Sequence, residues 1–171
     1  PGGGPTDAER KRGISFHRAL GDYAAKKNVK LSLEALNRFE TYFLNTMAQL
    51  ADYLDEVDHP HIKAMYDTFH ANIEERSQAE AIADLGPNMG VLHVSENDRG
   101  IPGRGHIDFT DAFRAARKQD YDGWVTLEAF GSGLPELAAA TRVWRPLFPD
   151  FETLWRESAG FIRQTWDSAA P

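Results

Sequence analysis

Apolar and polar positions along the chain change their period several times, and each change marks an element. Thr6 or Asp7 can cap a helix running to about Lys27, with Ile14, Ala19, Leu20 and Tyr23 spaced for one apolar face. Asn28 ends it, and Val29 to Leu36 then alternates as a strand does. The pattern predicts a second helix from about Tyr42 to Val57, broken by Asp58-His59-Pro60-His61. Ile62 to Asp67 reads as a second strand, Gln78 to Leu85 as a helix, and Gly86-Pro87-Asn88 as a turn. Met89 to Val94 is a third strand, apolar enough to be buried on both faces. A Gly/Pro-rich loop over 99–105 leads to a helix from about Thr110 to Lys118. Tyr121-Asp122-Gly123 then turns into a fourth strand, Trp124 to Phe130. Two helices follow, from about Pro135 to Trp144 and from about Asp150 to Asp167. The second of these puts Phe151, Leu154, Trp155, Phe161 and Ile162 along its apolar side.

Strand and helix in strict alternation imply parallel strands joined by crossover helices, an α/β fold. A chain of 171 residues is long enough for one sizeable core, so a single domain over 1–171 is expected. Four strands cannot close an eight-stranded barrel, which needs about 250 residues. A doubly wound open sheet fits the length, and periodicity alone leaves the two architectures open. Chemistry has to separate them.

The formal net charge of −7 argues against a nucleic-acid backbone as the main partner. Arg10-Lys11-Arg12 is flanked by Asp7 and Glu9 and reads as a solvated helix face. No apolar run approaches the roughly 20 residues of a membrane span. With no cysteine, disulfides and thiolate metal sites are excluded, which suits a reducing, cytoplasmic setting. Pro1-Gly2-Gly3-Gly4-Pro5 has no initiator Met and reads as a loop feeding a helix, as a processed terminus or a fragment would show. Those glycines lack the preceding strand that a phosphate loop needs.

Each strand is apolar up to its carboxyl end, and there stands Glu34, Asp67, His93 or Glu128. One strand-helix unit, roughly 30 residues, separates each from the next. Parallel strands present their carboxyl ends at one face, so these four side chains should converge, as barrel active sites do. Taken singly, each reads as a polar strand-end residue exposed in a loop. Four together at one face need partners or a cation to offset desolvation. Three carboxylates and one imidazole suit Mn²⁺, with Co²⁺ or Mg²⁺ as alternatives, better than a structural zinc.

At these residues the chain resembles a known family. Leu33-Glu34-Ala35-Leu36-Asn37-Arg38-Phe39-Glu40, Tyr66-Asp67-Thr68-Phe69-His70, Leu92-His93-Val94-Ser95-Glu96-Asn97-Asp98-Arg99 and Gly123-Trp124-Val125-Thr126-Leu127-Glu128-Ala129-Phe130 are similar to successive segments of the D-tagatose, D-psicose and L-ribulose 3-epimerases. The resemblance runs from about Asn28 to Leu147. It implies a (β/α)₈ TIM barrel, of which this chain would supply roughly strands five to eight, starting in the loop after the fourth. It also implies roles. Glu34, Asp67, His93 and Glu128 would hold one divalent metal ion, with Glu34 and Glu128 also the acid/base pair on opposite faces of C3. Glu40, His70 and Arg99 would hydrogen-bond the O1 and O2 end of a free ketose. Family members are commonly dimers or tetramers, so a homo-oligomer is expected.

The other candidates have plainer readings. Glu40 is expected near a helix start, where a carboxylate is favourable in any case. Arg99 would otherwise be a solvated loop residue. His59 and His61 flank Pro60 in a turn and read as surface residues, His17 as structural, and His106 has no evident partner. Trp144 and Trp155 read as packing rather than a sugar platform. Aldose-ketose and hydroxypyruvate isomerases use the same barrel, and an abasic-site endonuclease would need more histidine and a basic surface. An inactive half-barrel, its strand edges unpaired, is the reading from a different class.

Overall fold

The computed structural model describes residues 2–170. Helix α1 (Asp7–Lys26) starts in a capping box: the Thr6 hydroxyl accepts from the Glu9 N–H, and the Glu9 carboxylate accepts from the Thr6 N–H at 2.8 Å. Strand β1 (Leu31–Glu34) follows, then α2 (Met47–Val57), β2 (Ile62–Asp67), α3 (Thr68–Glu74) and α4 (Gln78–Leu85). A single turn of 3₁₀ helix (Gly86–Asn88) leads into β3 (Met89–Val94). The chain continues through α5 (Phe109–Lys118), β4 (Trp124–Leu127), α6 (Pro135–Thr141) and α7 (Phe151–Ser168).

The four strands form one parallel sheet in chain order, β1-β2-β3-β4, with a register irregularity between Ala64 and Met65. Burial alternates along the strands, as a period of two requires. Ile62, Ala64 and Tyr66 of β2 and Leu92 and Val94 of β3 are buried toward the helices. There they meet Leu50, Tyr53 and Val57 of α2, Ile82 and Leu85 of α4, and Phe113 and Ala116 of α5 in one core. The same alternation turns Glu34, Asp67 and His93 to the opposite face, and Glu128, one residue past β4, continues that row.

Several boundaries differ from the sequence expectation. Helix α2 begins at Met47, not near Tyr42, because Thr46 and Gln49 make a second capping box there. Asn45 braces the preceding turn, donating to the Leu36 carbonyl at 2.7 Å. Glu40 therefore lies in a turn and is no helix-start carboxylate. Helix α3 was not expected at all. Strands β1 and β4 are shorter than the alternation suggested, and α6 stops at Thr141 where Arg142 turns left-handed at φ 58°. On α1 the buried residues are Ile14, Gly21 and Ala24, while Tyr23 faces outward. On α7 Leu154 is buried, whereas Phe151, Trp155 and nearby Trp144 are exposed, so the two tryptophans are not core residues. Arg10 is tied down: it pairs with Glu56 and sits over the Tyr53 ring. No helix among the described residues is long and apolar enough to cross a membrane.

Candidate active site

Parallel pairing sets the carboxyl ends of the strands side by side, with Asp67 opposite His93 in the register. Local hydrogen bonds then aim the side chains. Asp67 is the N-cap of α3, and its Oδ1 accepts from the Phe69 N–H at 2.7 Å. Its Oδ2 is left pointing along the sheet end. Thr68 ties β2 to the chain after β3 by exchanging hydrogen bonds with the Ser95 backbone at 2.7 and 2.8 Å.

Glu34, Asp67 and His93 each offer an atom within 4.8 Å of the others. Among the described residues, Asp67 Oδ2 and His93 Nδ1 are buried and make no hydrogen bond. Orphaned buried acceptors cost free energy, so a donor or a cation belongs between them. One imidazole nitrogen and carboxylate oxygens form a donor set that a divalent cation such as Mn²⁺ accepts. The residues fit such an ion. Glu128 stands beside this trio: Oε1 lies 3.4 Å from His93 Nδ1, near enough for charge to act though poorly directed for a hydrogen bond, and Oε2 pairs with Arg99.

Crowding of carboxylates shows in their acidity. Burial, and then the Glu128 charge, pushes the Glu34 carboxyl up. Burial likewise raises Asp67, against the pull of Arg99. Burial works against the Glu128 carboxylate too, but His93 and Arg99 together hold it low.

Arg99 is buried, contrary to its plain reading as a solvated loop residue. Its backbone is left-handed at φ 66°, and its guanidinium lies 3.7 Å from the Phe69 ring centroid and 5.0 Å from that of Phe130. It donates to Ser95 Oγ at 3.2 Å and to Glu128. His70, almost wholly buried, has its Nε2 3.6 Å from Glu34 Oε1. Burial, with Arg99 beside it, lowers the His70 pKa to about 4, so the ring is neutral at neutral pH. Glu40 sits at the exposed rim.

Together Glu34, Glu40, His70, Arg99 and Glu128 line a cleft of about 530 Å³, the size of an ordinary small-molecule site. All seven residues expected from the sequence thus lie at one sheet end. Three contributors went unnoticed. Asn37 hydrogen-bonds both His70 and Glu40. Buried Glu96 accepts from the Asn97, Gly103 and Ile107 N–H groups at 3.0, 2.8 and 3.2 Å, pinning the loop that carries Arg99. Arg142 lines the far side of the cleft, and no sequence signal marked it. Two histidines outside the cleft are structural: His17 Nδ1 meets the Tyr53 hydroxyl at 2.7 Å, and His61 Nδ1 meets the Val29 carbonyl at 2.7 Å.

Comparison with known proteins adds a family. A family profile described as "Xylose isomerase-like TIM barrel" matches residues 1–165. The chain is 37% identical over 166 residues to an L-ribulose 3-epimerase of Methylomonas sp. (strain DH-1), covering 95% of this chain and 58% of that protein. It is 37% identical over 156 residues to a D-psicose 3-epimerase of Enterocloster bolteae, covering 90% and 52%. A crystal structure of D-allulose 3-epimerase from Methylomonas sp. in complex with D-allulose superposes with a TM-score of 0.91 at 35% identity, over 96% of this chain and 58% of that one. This chain therefore spans between half and three fifths of the length of these relatives.

Proposed function

The chain belongs to the xylose isomerase-like TIM barrel family, and on that premise we propose that it supplies the catalytic face of a metal-dependent ketose 3-epimerase. The observation that carries the reading is the order of ligands across the sheet. Glu34 and Glu128 stand on the two outer strands' ends, with Asp67 and His93 between them. A sugar seated over Asp67 and His93 meets a carboxylate from either side.

Epimerising a ketose at C3 removes the proton α to the C2 carbonyl and returns one to the opposite face. Glu34, Asp67, His93 and Glu128 would hold one divalent ion, Mn²⁺ by the donor set. Once bound, such an ion polarises the carbonyl and offsets the negative charge of the enediolate oxygen. One glutamate takes the C3 proton, leaving the electron pair shared between C3 and the C2 carbonyl. The other, protonated, delivers a proton to the opposite face of C3. Either can begin as the base, so the reaction runs both ways. Arg99 and His70 donate hydrogen bonds toward the O1 and O2 end, and the Glu40 carboxylate accepts from a hydroxyl there. The phenyl rings of Phe69 and Phe130 keep the Arg99 guanidinium in plane and shield it from water.

Proton NMR of a small ketose panel in D₂O with Mn²⁺ tests it, run on this chain and on the gene product that carries it. Deuterium at C3 with the C3 epimer appearing, abolished by a chelator, is expected. Label at C1 or C2 with an aldose product would make the activity an isomerase. Absence of exchange on every ketose by the full gene product would overturn the assignment.

A further inference from the structure

We infer that Asn37 is a positioning residue: its backbone N–H and its side-chain amide together hold the Nδ1 side of His70, and the amide also fixes how Glu40 is turned. The sugar-binding roles of His70 and Glu40 rest on the function proposed above; the hydrogen bonding described here stands without it.

Asn37 is 2% exposed and lies in the loop that leaves β1. Its backbone N–H donates to His70 Nδ1 at 3.1 Å, and its side-chain Nδ2 lies 2.9 Å from the same nitrogen. Two donors reach Nδ1 against one, Arg99 Nη2, at Nε2, which assigns the lone pair to Nδ1 and the neutral ring's proton to Nε2. The amide cannot be turned over. Its Oδ1 accepts from the Phe39 N–H at 3.0 Å, and its Nδ2 also donates to Glu40 Oε1 at 2.8 Å. Reversing it would set oxygen against carboxylate and nitrogen against N–H.

The consequence lies in the cleft. His70 Nε2–H and Arg99 Nη2 stand 3.2 Å apart, and both are donors. Two donors side by side, with Glu34 Oε1 3.6 Å from Nε2, leave a position beside them suited to an oxygen with negative or partial negative charge. Glu40, with Oε1 taken by Asn37, keeps its other oxygen for a hydroxyl. Asn37 thereby sets a donor and an acceptor side by side, a polarity that a ring flip or the other tautomer would reverse.

Nitrogen-15 NMR of histidine-labelled, Mg²⁺-loaded protein reads the tautomer directly, whether or not the protein epimerises anything. His70, identified by the signal lost in His70→Gln, is expected with a bare Nδ1 and a protonated Nε2. His61 calibrates the spectrum, because its Nδ1 must donate to the Val29 carbonyl at 2.7 Å and so shows the opposite tautomer. A wild-type His70 protonated on Nδ1 overturns the inference. Asn37→Ala gives a second reading, of the side chain alone. Its backbone donor remains, so the tautomer should persist, but kcat/KM should fall by about 10- to 100-fold with Mn²⁺ affinity unchanged. An unchanged kcat/KM overturns the positioning role. A wild-type protein inactive on every ketose but with the expected tautomer would sink only the function.

Discussion

Arg99 combines three demands on one side chain: a flat face for Phe69 and Phe130, a donor for Ser95 Oγ, and a charge for Glu128. Only a guanidinium meets all three, because its fork is planar and its donors diverge. Arg99→Lys keeps the charge and loses the plane. The expected outcome is a drop in kcat/KM on the order of 100-fold, measured as the initial rate of deuterium entry at C3. Near-normal rates would show that charge alone suffices. At this scale the sequence was legible where position along a strand carries the information. Glu34, Asp67, His93 and Glu128 could be found because each ends an apolar run. Asn37 and Glu96 could not, since their value lies in partners: His70 is 33 residues from Asn37, and the loop amides that meet Glu96 follow no period. Arg99 was legible only as a resemblance, its burial being a product of the two rings.

Elements follow local pattern until a cap overrules it. Phe69, Ala71 and Ile73 alternate with polar residues, a strand's period, yet 68–74 is helical. The Asp67 carboxylate that caps α3 settles the matter, and the same cap frees the other oxygen for the site. Helix α2 shows the reverse error. Tyr42 and Phe43 look like helix positions, but Thr46 and Gln49 fix the start one turn later. For α1 the cap can be read through pH. Hydrogen bonds from Thr6, then from the Tyr42 hydroxyl, lower the Glu9 pKa to about 2. A carboxyl depressed in the fold contributes stability that is present above its unfolded value and lost as pH falls through the folded one. Unfolding by denaturant is therefore expected to show a stability loss between about pH 4.5 and 2 that Glu9→Gln flattens. An unaltered acid limb in that variant would mean that the Glu9 charge contributes nothing to the stability of α1, since Gln keeps the capping box.

Across the whole molecule, the exposed apolar side chains are not scattered evenly. Phe16, Tyr23 and Val29 precede β1 and Phe39 and Tyr42 follow it directly, while Trp124, Leu134, Leu137, Trp144, Phe151 and Trp155 come from β4 onward. These are the two flanks of the sheet, and among the described residues β1 and β4 each pair on one side only. Trp124 is 81% exposed on a strand whose other edge is free. A free parallel edge carries unpaired N–H and C=O groups, and apolar side chains beside it make pairing with another chain favourable. A closed barrel of this family has no such edges. The same geometry leaves the ligand row on an uncovered face, so whatever covers the flanks also walls the cleft. The chain on its own is accordingly expected to self-associate, with a sedimentation coefficient that rises with protein concentration. Charged substitutions at Trp124 and Trp155 should weaken that rise without touching the core, since neither side chain is buried in it. A monomer whose sedimentation ignores concentration would show that the flanks tolerate water, and the apolar residues there would then need another explanation.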